Sequence, residues 1–231
     1  MQIIARPSPN FNERVGGAVD MLVLHYTGMI SREHAMARLC DPKSRVSAHY
    51  LIDEAGNVYQ MVAEEHRAWH AGVSFWAGSR DINSRSIGIE LVNPGHDLDY
   101  RNFPQRQMEA LAQLCLQIMS RHPVPASRVL GHSDVAPGRK RDPGEKFDWA
   151  WLAWQGVGAW PVQVHFNAAL APDILELQQC LSRFGYEIPQ TGIYGTQTRA
   201  VITAFQRHFR SERVDGVADA HCLAILKQLL A

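Results

Sequence analysis

The 231-residue chain has no surplus of either charge: Lys plus Arg and Asp plus Glu each number 23. Nucleic acid or an anionic membrane surface calls for a basic excess, so neither partner is expected. No apolar run approaches the roughly 20 residues that span a bilayer, so no transmembrane segment is expected. Met1 to Asn10 has no charged stretch followed by an apolar core, so no signal peptide is expected. Cysteines are few, and Cys40, Cys115, Cys180 and Cys222 form no CxxC pair. Cys115, Cys180 and Cys222 fall on apolar helical faces and read as buried free thiols. Free thiols favour a reducing compartment, so a cytoplasmic location is expected; the alternative is periplasm or outer membrane if a leader was removed. Hydrophobic residues at 46% and charged residues at 20% are ordinary for a globular chain.

What the chain does have is histidine, eleven in all. The densest chemistry lies in Gly131–Gly144, with His132, Asp134, Arg139, Lys140, Arg141 and Asp142 among three glycines and two prolines. Proline removes a donor and glycine costs backbone entropy, so a strand end and a structured loop are expected here, not a regular helix. Met21–Gly28 is a short apolar run ending in His25, read as a buried strand that presents this histidine at its end. Ser31 caps a short helix to Leu39. Ser47–Asp53 and Val58–Val62 form a hairpin, with His49 in its first strand. Trp69-His70-Ala71-Gly72 lines a cleft or packs a loop. In Ser86–Val92, Ile87, Ile89 and Leu91 share one face, and Gly88, Glu90 and Val92 the other. Glu90 is thus a carboxylate on an apolar segment: it pairs with a cation or faces a polar site as a general base.

Pro104–Arg121 is an amphipathic helix, and Ser127–Leu130 a short strand feeding the histidine-bearing loop. Strands, helices and a hairpin together predict an α/β fold: a mixed sheet flanked by helices. Trp149, Trp151, Trp154 and Trp160 follow, read as packing beneath a domain junction. Residues 161–172 read as a linker. Asp173 to the end reads as a compact three-helix unit, with Asp173, Gly195-Thr196 and Asp219 opening its helices. The expected domains are 1–160, catalytic, and 173–231, helical.

Two imidazoles and a carboxylate, His25, His132 and Asp142, suit a catalytic zinc with one position left for water. No local spacing rule links residues so far apart. A resemblance does. Leu24-His25-Tyr26-Thr27, Ser47–Ile52, Ala68–Gly72, Ser86–Glu90 and Gly131–Gly144 resemble, in order, the zinc-dependent N-acetylmuramoyl-L-alanine amidases of the type 2 family. The resemblance implies a fold shared with peptidoglycan recognition proteins. It implies one zinc held by His25, His132 and Asp142, Glu90 as catalytic glutamate and Lys140 as catalytic lysine. His49, Trp69 and His70 are the candidates for touching substrate, and Asp134 is expected to brace a turn or a ligand. Leu177-Gln178, Gly185-Tyr186, Gly192–Gly195, Phe205-Gln206 and Asp215-Gly216 are similar to the three-helix peptidoglycan-binding domain, with Thr191-Gly192 where Asp-Gly is usual.

The expected function is hydrolysis of the amide between N-acetylmuramic acid and L-alanine in peptidoglycan or muropeptides, by a monomer, in wall turnover and recycling. The alternatives are a binding protein that does not cleave and a zinc peptidase that cuts within the stem peptide. Asp142→Ala separates enzyme from binding protein: hydrolysis should vanish in a muropeptide assay while fragment binding persists. Retained hydrolysis contradicts the ligand set.

Overall fold

The computed structural model describes residues 2–162, 164–168 and 170–231, so Gln163 and Ala169 of the expected linker lie outside the described residues. In chain order, β1 (Ile3–Ala5), β2 (Phe11–Glu13) and β3 (Met21–Tyr26) precede α1 (Arg32–Cys40). Then come β4 (Tyr50–Ile52), β5 (Val58–Gln60), β6 (His66–Ala68), α2 (Ile82–Arg85) and β7 (Ser86–Leu91). Next are α3 (Gln105–Met119), β8 (Val129–Gly131), α4 (His132–Val135) and α5 (Trp149–Trp154). The chain closes with α6 (Ile174–Phe184), α7 (Thr196–Phe209) and α8 (Ala220–Leu229).

Six strands form one mixed sheet in the order β1-β5-β4-β7-β3-β8, and β2 pairs with β6 apart from it. The β4–β5 hairpin is antiparallel, while the pairs β4–β7, β7–β3 and β3–β8 are parallel. A parallel sheet needs cover on both faces, and β3 is buried accordingly. Its Leu22 and Leu24 face one core with Ile87, Ile89 and Leu91 of β7 and Met108, Leu111, Cys115 and Ile118 of α3. Its Met21 and Val23 face another, which runs without a break into Leu177, Phe205 and Leu226 of the C-terminal helices. Apolar residues repeating at helical spacing account for α3, α6 and α7, and the side chains of Asp173 and Asp219 accept from the first turns they cap.

The strand bearing His25 is buried as expected: β3 lies between β7 and β8, with the histidine at its carboxyl end. Two expectations are corrected. The segment after Gly131 is not loop from the outset. His132–Val135 makes one helical turn, because the first proline, Pro137, comes only after it. Of the tryptophans, Trp149 packs at the junction, against His208, whereas Trp154 is 84% exposed and packs nothing there. Among the described residues, no helix is long and apolar enough to cross a membrane.

Register places the chemistry. His25 pairs with Glu90, and Leu24 with Gly131, so His25, Glu90 and His132 emerge at the carboxyl ends of three adjacent parallel strands. Neighbouring strands lie about 4.8 Å apart, which sets how close these side chains come. Ligand sites of open α/β sheets form at this end. On β7, Gly88 leaves room for an imidazole: a Cβ there would lie 2.4 Å from Cγ of His70. Gly88→Ala should therefore cost about 1–3 kcal/mol by overpacking. A thermal melt should show a drop of about 2–4 °C for each kcal/mol; an unchanged melting temperature contradicts the tight fit.

Candidate metal centre

His25 Nδ1, His132 Nδ1 and Asp142 Oδ2 form a triangle with every side 3.0 Å. All three residues are buried. The outward ring nitrogens decide what the inward ones are. His132 Nε2 lies 3.0 Å from the carbonyl of Ala71, which can only accept, so Nε2 carries the proton. The Ser86 hydroxyl donates to the carbonyl of Ile82 at 2.7 Å and so accepts from His70 Nε2 at 3.2 Å. His70 Nδ1 is then an acceptor, and His25 Nε2, 3.0 Å away, donates to it. Burial above all lowers the pKa of His25 to about 4, so near neutral pH it has only that one proton.

In the tautomers these outer bonds favour, the inward atoms are lone pairs, and two imidazole nitrogens facing a carboxylate oxygen suit a bound cation. Tetrahedral ligands about 2.0–2.1 Å from one zinc lie about 3.3 Å apart, close to the observed spacing.

The triangle forms the floor of a cleft of about 370 Å³, lined also by Tyr26, Trp69, Glu90, Arg139, Lys140 and Arg141. Glu90 stands beside it. Its Oε2 is buried and without a hydrogen-bond partner. Its pKa is raised well above the carboxylate range, first by burial and then by Asp142, with Lys140 pulling the other way. Glu90 thus faces the polar site and, among the described residues, is not one half of an ion pair.

A family model described as N-acetylmuramoyl-L-alanine amidase matches residues 15–145. The chain belongs to the N-acetylmuramoyl-L-alanine amidase family. A second model, a peptidoglycan binding domain, matches residues 171–226 of this amidase. Over 92% of its length the amidase is 38% identical to the N-acetylmuramoyl-L-alanine amidase AmiD of Escherichia coli K12, and covers 82% of it. It is also similar to a solved E. coli AmiD complex with the substrate anhydro-N-acetylmuramic acid-L-Ala-D-γ-Glu-L-Lys. There the TM-score is 0.83 at 35% identity, over 94% of this chain and 90% of that one. AmpDh3 of Pseudomonas aeruginosa, in complex with anhydromuramic pentapeptide, gives a TM-score of 0.81 at 35% identity, over 93% and 92% of the two chains.

The expected residues are distributed unequally. His25, His132, Asp142, Glu90, Lys140, Trp69 and His70 line the cleft. His49 does not: it is fully buried behind the cleft, with its Nδ1 accepting from the N–H of Gly88 at 2.9 Å and its Nε2 2.8 Å from the Arg14 guanidinium. It is a packing residue. His70 lines the cleft with both nitrogens already engaged by His25 and Ser86, so it supports His25 and neither nitrogen is free for substrate. Trp69 is part-exposed, anchored by its Nε1 donating to Asn12 at 2.6 Å.

Arg139 went unassigned in the sequence. Its guanidinium donates to the carbonyls of Ala71 and Val73, both at 2.7 Å, and so braces the same carbonyl that fixes His132. The run of three cations was the available signal, but only the fold shows that one turns inward.

Glu90 makes a measurable claim on stability. Its folded pKa lies above the unfolded value near 4.3, so folding is disfavoured increasingly as pH rises from there toward the folded pKa, and the full cost persists above it. Metal-free Glu90→Gln should melt a few degrees above wild type at about pH 8 and level with it at about pH 4. Equal melting temperatures at the higher pH contradict the buried, unpaired carboxylate.

Proposed function

We propose that this amidase is a zinc hydrolase that splits the amide between N-acetylmuramic acid and L-alanine in muropeptides, in wall turnover and recycling. The observation that carries the proposal is the triangle of three inward-facing acceptors beside an unpaired carboxylate. A zinc held by His25 Nδ1, His132 Nδ1 and Asp142 Oδ2 would acidify a water and polarise the scissile carbonyl.

The chain's own groups supply the rest. Glu90 Oε2 takes the proton from the attacking water and passes it to the departing amine of L-alanine. Its raised pKa fits both halves of that task, since a carboxylate that binds a proton well in the site can hold it between the two steps. Lys140 lines the same cleft, and among the described residues its ammonium has no ion-pair partner. It is therefore free to meet the negative charge that develops on the carbonyl oxygen. Trp69 and the cations Arg139 and Arg141 wall the cleft in which a sugar and an acidic peptide would lie.

Residues 1–160 carry the reaction in this reading, and 173–231, joined through 161–172, grip the wall polymer or its fragments. Anhydro-muropeptides are the preferred class to test first, because two of the similar solved structures, those of AmiD and AmpDh3, hold such ligands. The four free cysteines, three of them buried, support a reducing compartment, and we place the enzyme in the cytoplasm as a monomer.

Mass spectrometry of products from soluble anhydro-muropeptides and from intact wall, with and without a chelator, tests the assignment. Free stem peptide beginning at L-alanine should appear, and chelation should abolish it. Cleavage within the peptide, or activity indifferent to chelation, contradicts it. Glu90→Gln should lower kcat by about 10²–10⁴-fold. Lys140→Met should lower it by about 10²–10³-fold with a smaller effect on KM. The acid limb of the wild-type pH–rate profile should lie above the ordinary carboxylate range, because Glu90 must be ionised to act and its pKa is raised.

A further inference from the structure

Asp134 lies two residues beyond His132 on α4 and is 1% exposed. A carboxylate withdrawn from water needs donors. Asp134 has three. The N–H of Gly131 donates to Oδ2 at 2.7 Å, His208 Nδ1 to the same oxygen at 2.7 Å, and the Tyr186 hydroxyl to Oδ1 at 2.6 Å. Only the first is local. The other two come from the C-terminal helical segment, 74 and 52 residues further along.

Both distant donors are held rigidly. The His208 ring is sandwiched between Trp149, at 3.7 Å between centroids, and Phe209, at 3.8 Å. Tyr186 packs edge-on against Trp76 at 4.8 Å. The preceding residue is Gly185, at φ 143°, where a Cβ would lie 2.4 Å from the Trp76 ring. That glycine lets the helical segment close down on the sheet. The hydrophobic core beneath is continuous from Val23, Leu130 and Val135 to Leu181, Phe205 and Phe209.

We infer that His208 and Tyr186 are positioning residues for the metal ligand His132, acting through Asp134. The path is short. Asp134 pins the N–H of Gly131, the residue just before His132. The next residue, Ser133, donates its N–H to the carbonyl of Asp142 at 2.9 Å. One turn of helix thus ties the second and third ligands together, and its central carboxylate is aimed from outside the sheet by α7 and by the segment after α6. Loss of either donor leaves a buried oxygen short of a partner, which is costly enough to turn the carboxylate and loosen α4. The helical segment is in this sense a part of the metal site's scaffold, whatever it also does with the wall polymer. The inference rests on the zinc reading of the site.

The test uses the full chain, stripped of metal: wild type, Tyr186→Phe, His208→Ala and His208→Asn. Tyr186→Phe removes one hydroxyl and keeps the packed ring. His208→Asn keeps an N–H donor close to the position of Nδ1. Zinc dissociation constants come from competition with a chromophoric chelator, and melting temperatures are taken without metal. Outer partners of metal ligands typically contribute about 10–100-fold in affinity. Tyr186→Phe and His208→Ala should each weaken zinc binding within about that range, and His208→Asn should recover most of the loss. If His208→Ala fails to fold, Tyr186→Phe alone decides. Zinc affinity equal to wild type in Tyr186→Phe, with only the melting temperature lowered, overturns the inference and leaves a purely structural contact. A wild type that takes up no zinc overturns the zinc reading itself and this inference with it.

Discussion

Three electron-rich atoms held 3.0 Å apart in a buried place are the constraint on which the rest of the site depends. Left to themselves, His25 Nδ1, His132 Nδ1 and Asp142 Oδ2 would repel or recruit a proton. They do not drift apart because each is fixed from behind. His132 is fixed by the Ala71 carbonyl, His25 by the His70–Ser86–Ile82 chain, and Asp142 by its carbonyl's hydrogen bond to Ser133. Those outer bonds set both tautomers so that the lone pairs point inward. The free energy of keeping them there is stored in folding and would be recovered on binding a cation.

The fold is arranged to make that possible. Parallel strands deliver side chains to one end of the sheet, and the register of β3 with β7 and β8 sets His25 beside Glu90 and close to His132. Gly88 makes space for His70, which could not otherwise stand behind His25. The same crowding that orients His25 and His132 also desolvates Glu90, so stability is lost where basicity is gained. Binding power and basicity in the cleft thus share one cause, the exclusion of water from the ends of three strands.

Much of this was legible in the residues. Apolar runs ending in His25 and Gly131-His132, and the alternation that isolates Glu90, follow from strand geometry alone. The helices at the C-terminus announced themselves by spacing and caps. What was not legible depends on contacts between distant segments. His49 and His70 look alike in a sequence, yet one lies behind the cleft and the other behind a ligand, because Gly88 and Ser86 on another strand decide between them. The one-turn helix at His132 is too short for periodicity to reveal. Asp134 reads locally as a turn-forming carboxylate, and nothing near it points to His208 or Tyr186.

Zinc K-edge X-ray absorption on the stoichiometrically loaded 231-residue chain tests the central claim most directly, because it reads the ligand atoms without reference to turnover. The triangle predicts two imidazole nitrogens and oxygen neighbours at about 2.0–2.1 Å, with no sulfur, and loss of one imidazole signal in His25→Ala. A sulfur neighbour at about 2.3 Å, or a spectrum unchanged by that substitution, would contradict it.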